Sequence, residues 1–184
     1  QSGANSKEAC TCVLGYGRNA DNNCEECGKG TYSVLNSGST DYECKDCAAG
    51  KWSNASGAVG EGNCRWVQSG YFTVDDNGGS VNTGATNEIK CPVDEFSHGG
   101  NENDGSPCSS CGEGYTTTLG GEGVAATKTS VATTACVCEA GWGRPTAGDD
   151  SQPCAKCPAG KYKTGHNDGS CISCPAGKSS SSTG

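Results

Sequence analysis

Cysteine content constrains this sequence more than any other feature, because 16 of its 184 residues are cysteines. That fraction is typical of secreted proteins held together by disulfides. Large aliphatic and Phe residues are scarce, since Leu, Ile, Val and Phe together supply only 17 positions. Such a chain cannot bury enough apolar surface to offset the entropy of ordering its backbone. Covalent crosslinks must therefore replace a hydrophobic core.

The loops between successive cysteines predict the fold class. Most enclose 13 to 16 residues, and one encloses 24. Each begins with a Gly and usually an aromatic residue, which is typical of short hairpins rather than helices. We expect the rings to cover neighbouring disulfides; they are Tyr16, Tyr32, Trp52, Tyr71, Tyr115, Trp142 and Tyr162. The prediction is a small disulfide-rich protein, an elongated tandem array of short β-hairpin modules with little helix and no large hydrophobic core.

An internal repeat divides the chain. Cys10-Thr11-Cys12 and Cys136-Val137-Cys138 lie 126 residues apart, and two C-x2-C pairs follow each of them. We predict cysteine-rich modules over residues 1–63 and a less regular cysteine-linked insert over 64–107. Residues 108–184 would be a second copy of the modules, truncated into a Ser/Thr linker. Within the insert we expect a hairpin or a larger loop.

Pairing each cysteine with its nearest free neighbour along the chain predicts seven local disulfides. These are Cys12–Cys24, Cys27–Cys44, Cys47–Cys64, Cys91–Cys108, Cys111–Cys136, Cys138–Cys154 and Cys157–Cys171. Cys10 and Cys174 remain over, and by the repeat both should pair with cysteines outside this chain.

Two alternatives stay open, because spacing alone does not establish connectivity. One is an interlaced pairing with Cys91–Cys111 and Cys108–Cys136. The other is a zinc site, since residues 24–47 contain C-x2-C-x16-C-x2-C, within the spacing of zinc ribbons. Zinc, however, leaves Cys64 and Cys91 unexplained.

Catalytic signals are absent from the sequence. Its two histidines, His98 and His166, lie in turns rich in Gly and Asn. Neither a hydrolase triad motif nor a phosphate-binding loop is present, so we expect no enzyme activity. The formal charge of −8 argues against nucleic acid and anionic membranes as partners. No run of apolar residues is long enough to span a bilayer.

Polar loops carry the remaining candidate sites. Asn54 begins the one N-x-S/T sequon and is the predicted glycosylation site. Ser/Thr clusters at residues 116–118, 127–130 and 179–183 are candidates for O-linked sugars. Residues 75–77, 101–104 and 149–150 form oxygen-rich turns, none of which fits a twelve-residue calcium loop. We therefore predict no cofactor, with Ca²⁺ as the weaker alternative.

Two short motifs connect the chain to known families. CAKCPAGKY at residues 154–162 and CISCPAG at residues 171–177 resemble the ephrin-receptor-like cysteine-rich repeat, an architectural relative of tumour necrosis factor receptor modules. Residues 12–24 and 138–154 resemble the C-terminal half of an EGF-like domain. The pattern departs from the family where Cys27 and Cys47 lack a following Pro. The resemblance implies a stack of β-hairpins outside the cell, as in receptors, protist surface coats and mastigoneme-type flagellar hairs.

These observations predict an extracellular or cell-surface location, on a surface or an appendage. The leading hypothesis is a structural segment of an extracellular repeat glycoprotein that forms a filament, surface coat or adhesive stalk. Its partners would be copies of itself or other extracellular proteins, with glycans attached. The alternatives are a ligand-binding ectodomain of a receptor and a protist surface antigen. A metal-dependent intracellular module is the rival from another class.

Overall fold

A computed structural model describes residues 10–97, 99, 108–117, 124–125, 136–149 and 151–181. Short strands dominate, and the single 3-10 turn assigned in these residues is Glu61–Asn63. The strands are β1 (Tyr16–Arg18), β2 (Cys24–Glu26), β3 (Thr31–Leu35), β4 (Tyr42–Asp46), β5 (Lys51–Trp52), β6 (Arg65–Trp66), β7 (Tyr71–Val74), β8 (Asn87–Lys90), β9 (Glu95–Ser97), β10 (Ser109–Ser110), β11 (Tyr115–Thr117), β12 (Val124–Ala125), β13 (Cys136–Cys138), β14 (Trp142–Gly143), β15 (Ala155–Lys156), β16 (Lys161–Tyr162) and β17 (Ile172–Ser173).

The strands pair locally. Seven two-stranded sheets form from β1–β2, β3–β4, β5–β6, β7–β8, β11–β13, β14–β15 and β16–β17. The eighth sheet has three strands, because β10 and β12 pair with opposite edges of β9, antiparallel and parallel respectively. The described residues contain no α-helix. The predicted fold class, small disulfide-rich hairpin modules with little helix, is confirmed.

The chain divides into two compact units. The first includes residues 10–67 and 72–89. The second includes residues 68–71 and 90–97 and the described residues from 108 onward. The three-part division expected from the sequence stays a prediction; the region between Cys64 and Cys91 contains the β7–β8 hairpin.

A four-residue turn recurs nine times in the described chain, before the hairpins and again after Cys174. In each turn the fourth residue donates its N–H to the carbonyl of the first residue, with N–O distances of 3.0–3.3 Å. The third residue has φ between 65° and 87°, as a type II turn requires. Glycine occupies this third position in eight turns, and Asp94 occupies it in the other. We call this third residue the turn residue; the set is Gly15, Gly30, Gly50, Gly70, Asp94, Gly114, Gly141, Gly160 and Gly177.

The turn residues also close the hairpins that follow them. The carbonyl of each of the first eight accepts a backbone N–H from the end of the following hairpin, at 2.8–3.0 Å. Cys47, for example, donates to Gly30, and Cys157 donates to Gly141. This bond extends the ladder of one hairpin by one residue pair, whereas the N–H of a turn residue binds the next module, as Gly30 does with the Ser53 carbonyl at 2.8 Å.

Three residues after the turn residue lies a second recurring position, which is polar and mostly buried. At seven of these positions the exposed fraction is at most 7%: Ser33, Ser53, Thr73, Ser97, Thr117, Arg144 and Lys163. Several of these residues accept the N–H of the turn residue in the preceding module. Gly15 donates its N–H to the Ser33 hydroxyl at 2.8 Å, and Gly141 donates to the Lys163 carbonyl at 2.8 Å. A buried polar group satisfied in this way costs little stability.

Small clusters around disulfides take the place of a core. In the first unit Tyr32 packs with Ala58 and the Cys47–Cys64 bridge. In the second, Phe96 and the Cys111–Cys136 bridge form a cluster against which Tyr115 packs. The rings differ in burial, since Tyr32 is 6% exposed whereas Tyr16 is 40% exposed and Tyr162 is 37% exposed. The predicted ring packing therefore applies to some modules and not to others.

Candidate functional site

Seven disulfides are the chemical centre of the molecule. They are Cys12–Cys24, Cys27–Cys44, Cys47–Cys64, Cys91–Cys108, Cys111–Cys136, Cys138–Cys154 and Cys157–Cys171. Their Cα–Cα distances are 5.4–5.7 Å, within the usual range. The four cysteines with zinc-ribbon spacing all lie in these bridges, three different ones. The connectivity stays a prediction for chemical mapping.

The remaining two thiols are unpaired. Cys10 is exposed and Cys174 is half-buried. The N–H of Cys174 binds the Gly160 carbonyl at 2.9 Å, the bond that Cys27 makes with Gly15. Cys174 thus occupies the position of the first cysteine of a hairpin module.

Two glycines let disulfides approach a neighbouring strand. A Cβ on Gly17 in β1 would lie 2.5 Å from the Cys44 nitrogen and 2.6 Å from its sulfur. A Cβ on Gly143 in β14 would lie 2.8 Å from the Cys171 nitrogen and 2.9 Å from its sulfur. These glycines occupy equivalent positions, two residues after Gly15 and Gly141. Close contact here lets a bridge of one module pack on the strand of the preceding one.

One module lacks its bridge. Val67 donates its N–H to Gly50 at 2.8 Å, as Cys47 does to Gly30, and is only 4% exposed. Val67 therefore occupies the position of a first cysteine. The second cysteine position lies three residues before Cys91, because Cys44 lies three residues before Cys47, and Glu88 occupies it. The spacing of the existing cysteines could have revealed this vacant pair.

A salt bridge organises the first module. The Asp41 carboxylate accepts the Cys12 N–H at 2.6 Å and binds the Arg18 guanidinium. These hydrogen bonds, first of all that from Arg18, hold the pKa of Asp41 below its ordinary value. The group therefore stays ionised and fixes the chain before β1.

Two buried cations organise the last modules. Arg144 is 1% exposed, and its Nε donates to Asp168 at 2.8 Å. Lys163 donates to the carbonyls of Cys138 and Glu139, each at 3.1 Å, and burial lowers its pKa. Both cations have partners suited to a structural role. Neither cation could be predicted from the sequence, because the recurring polar position is usually Ser or Thr.

Asp168 also lies near the sulfurs of Cys138 and Cys154, and these three groups are close enough to hold a metal ion. The two sulfurs form a disulfide, however. A disulfide sulfur carries no thiolate charge and is a poor metal ligand. The arrangement is therefore better explained as packing of the bridge beside the Arg144–Asp168 pair.

Carboxylates in the predicted oxygen-rich turns accept hydrogen bonds from their own turns. Asp75 Oδ1 accepts the N–H groups of Asn77 and Gly79, at 2.9 and 2.8 Å. Asp149 accepts the Ser151 hydroxyl at 2.5 Å, which lowers the pKa of Asp149. These bonds are typical of Asx turns. The turn at 101–104 and Asp150 lie outside the described residues.

The remaining predicted sites, the sequon, the histidines and the Ser/Thr clusters, differ in their exposure. Asn54 is exposed between the buried Ser53 and the loop that returns to β6, so its side chain is accessible to glycosylation. His166 is exposed, and His98 lies outside the described residues. Of the Ser/Thr clusters, Thr116 and Thr117 are buried, whereas Ser179 is exposed. Residues 127–130, Thr118 and residues 182–183 lie outside the described part.

A surface cavity lies in each unit. In the first unit a cavity of about 610 Å³ is lined by Tyr32, Lys45, Asp46 and Glu61 among others. In the second a cavity of about 270 Å³ lies between the hairpins β14–β15 and β16–β17. Its lining includes Arg144, Lys156, Lys161, Pro145 and Pro158.

All of β15–β17 and the last residue of β14 lie within the part of the chain that resembles a known family. Residues 143–184 match the family described as tyrosine-protein kinase ephrin type A/B receptor-like. This segment is similar to that family, and the match covers 42 of the 184 residues. No curated protein matches the chain.

The ephrin-receptor-like segment and the disulfides together indicate an extracellular or cell-surface location. In the part of the chain that the structure describes, no helix is both long and apolar enough to cross a membrane. At this coarse level the chain is a cysteine-rich array of the type found in ectodomains.

Proposed function

We propose that the chain is a structural segment of an extracellular repeat glycoprotein that forms a filament, surface coat or adhesive stalk. The observation that carries this proposal is the bond from the N–H of a turn residue to the recurring polar position of the next module, which is made by Gly15, Gly30, Gly70, Gly141 and Gly160. A module coupled only to its neighbours can be repeated without limit, which suits a protein that spans distance.

The energetics support a mechanical role. A bridge that closes a loop of about 15 residues contributes roughly 3 kcal/mol in the chain-entropy model. Seven bridges distribute this stabilisation along the chain. One module can therefore unfold while the other modules stay folded. Its chemistry would be passive, with crosslinks, a glycan at Asn54 and contacts between copies, and no catalysis.

Negative-stain imaging of native material tests this function. We expect regular fibres or a continuous layer, with non-reducing peptide maps showing the seven local bridges. Protist coats and flagellar hairs are the settings in which we would look first. Isolated particles attached singly to a membrane would contradict the proposal.

A receptor ectodomain that captures a protein ligand is the second candidate. The match of residues 143–184 to a receptor-derived family favours it. In that case a soluble partner should bind one chain with defined stoichiometry. Isolation of such a complex in the absence of fibres would favour this second candidate.

A further inference from the structure

Charge is distributed unevenly between the ends of the chain. Residues 143–184 contain five basic and three acidic residues, a formal net charge of +2. The rest of the chain contains eight basic and eighteen acidic residues, a formal net charge of −10. A basic segment in an acidic protein is attracted to acidic surfaces, including those of its own copies.

The basic charge converges on the 270 Å³ cavity between β14–β15 and β16–β17. Lys156 and Lys161 line it on adjacent hairpins. Lys156 Nζ lies 5.2 Å from the centroid of the Trp142 ring, and only 3.9 Å separates it from a Glu113 carboxylate that is 82% exposed. Within the described residues Lys161 forms no ion pair. The Lys161 ammonium is therefore available to an incoming anion, and Lys156 has only a long, exposed ion pair to exchange for it.

The other residues that line the cavity support its preference for an anion. Pro145, Pro158 and the Cys171 bridge give the cavity partly apolar walls, against which the stems of the two lysines and of an incoming acidic side chain can pack. The buried guanidinium of Arg144 adds positive charge behind them, although Asp168 already binds it. The cavity is smaller than the clefts that typically hold drug-sized ligands, and its volume suits one carboxylate side chain with its neighbours.

Complementary acidic strands lie in the first unit. Glu25 and Glu26 in β2 are exposed, as are Glu43 and Asp46 in β4. Lys45 is the one basic residue in these two strands. The two strands therefore carry exposed negative charge of the kind that the cavity should attract.

We propose that the cavity lined by Lys156 and Lys161 binds the acidic strands β2 and β4 of a second copy of this chain. The proposal rests on the proposed function, because it names the lateral contact through which copies in a filament or coat would associate. Ion pairs at the rim of such a contact speed and orient association more than they tighten it.

Sedimentation of the full chain, with Cys10 and Cys174 alkylated, tests the contact without disulfide exchange. We expect self-association in about 0.01 M NaCl, where the Debye length is about 30 Å, and its loss in about 1 M, where it is about 3 Å. Lys156→Glu with Lys161→Glu should weaken association by about tenfold, because two attractions become repulsions. Lys178→Glu, an exposed change outside the cavity, is the matched control.

A charge exchange makes the test specific. Chains carrying Glu25→Lys and Glu43→Lys should associate weakly alone but bind the Lys156→Glu, Lys161→Glu chain when mixed. The proposal would be overturned if the chain with Lys156→Glu and Lys161→Glu associated as strongly as the wild type. It would also be overturned if the wild-type chain stayed monomeric at low salt. Heparin binding that requires both lysines, without self-association, would assign the cavity to a polyanion instead. Fibres in native material together with any of these negative results would leave the proposed function standing and remove only this contact.

Discussion

Gly17 and Gly143 show how single residues control the stacking of modules. At each position a methyl group would lie within 3 Å of a disulfide sulfur on the next hairpin. Replacing either glycine by alanine should therefore push the bridge away from the strand. Overpacking of this kind costs about 1–3 kcal/mol. We expect Gly17→Ala to accelerate hydrogen exchange in β1 and β4, measured with all disulfides intact.

Gly28→Ala is the control for this substitution. Nothing lies within 4 Å of a Cβ at Gly28, and its φ is not in the left-handed region. The control variant should exchange at the wild-type rate or more slowly, since alanine also restricts the unfolded chain. Equal protection in the Gly17 and Gly28 variants would show that the close approach does not stabilise the stack.

At the scale of elements, the β7–β8 hairpin keeps the backbone of a module without its bridge. Val67 and Glu88 occupy the two vacant cysteine positions, as the neighbouring bonds to Gly50 and Gly70 show. Val67→Cys with Glu88→Cys should therefore form an eighth disulfide. For a loop of roughly this length the gain is about 3 kcal/mol in the chain-entropy model. Non-reducing peptide mapping identifies the new bridge, and denaturant unfolding measures the gain.

The pair Val59→Cys with Glu88→Cys adds the same number of thiols at a position outside the pattern. It should leave both thiols free or produce mixed bridges. If the Val67 and Glu88 variant behaved likewise, the equivalence of this hairpin with the bridged modules would be wrong.

Much of this element pattern could be predicted from the sequence. Cysteine spacing and turn glycines are local signals, and they predicted the hairpins because each hairpin forms within one loop. The parallel pairing of β12 with β9 joins residues almost thirty positions apart, for which no local signal exists. Arg144 and Lys163 were also missed, because their burial depends on carbonyls and a carboxylate supplied by other modules. Asp94, which takes the place of a turn glycine, also depends on a residue of another hairpin, because its carboxylate accepts the Thr116 hydroxyl at 2.5 Å.

At the scale of the whole molecule, the recurring bonds within each unit join a module to the next one along the chain, so damage should stay local. In a single-core domain, loss of a native disulfide typically lowers the free energy of unfolding of the whole domain by about 2–5 kcal/mol. In a nearest-neighbour array the same loss should affect the unbridged hairpin and the modules adjacent to it. Cys157→Ser with Cys171→Ser removes the bridge that closes β16–β17.

Hydrogen exchange with peptide resolution measures how far this loss extends. We expect faster exchange in β14 to β17, because Cys157 and Gly141 share a backbone bond and Cys171 packs on Gly143. Strands β1 to β6 should keep wild-type protection. The reciprocal variant, Cys27→Ser with Cys44→Ser, should expose β1 to β4 and spare β14 to β17. Uniform loss of protection in either variant would mean that the modules fold as one cooperative body, and a repeat that can be extended without limit would no longer follow.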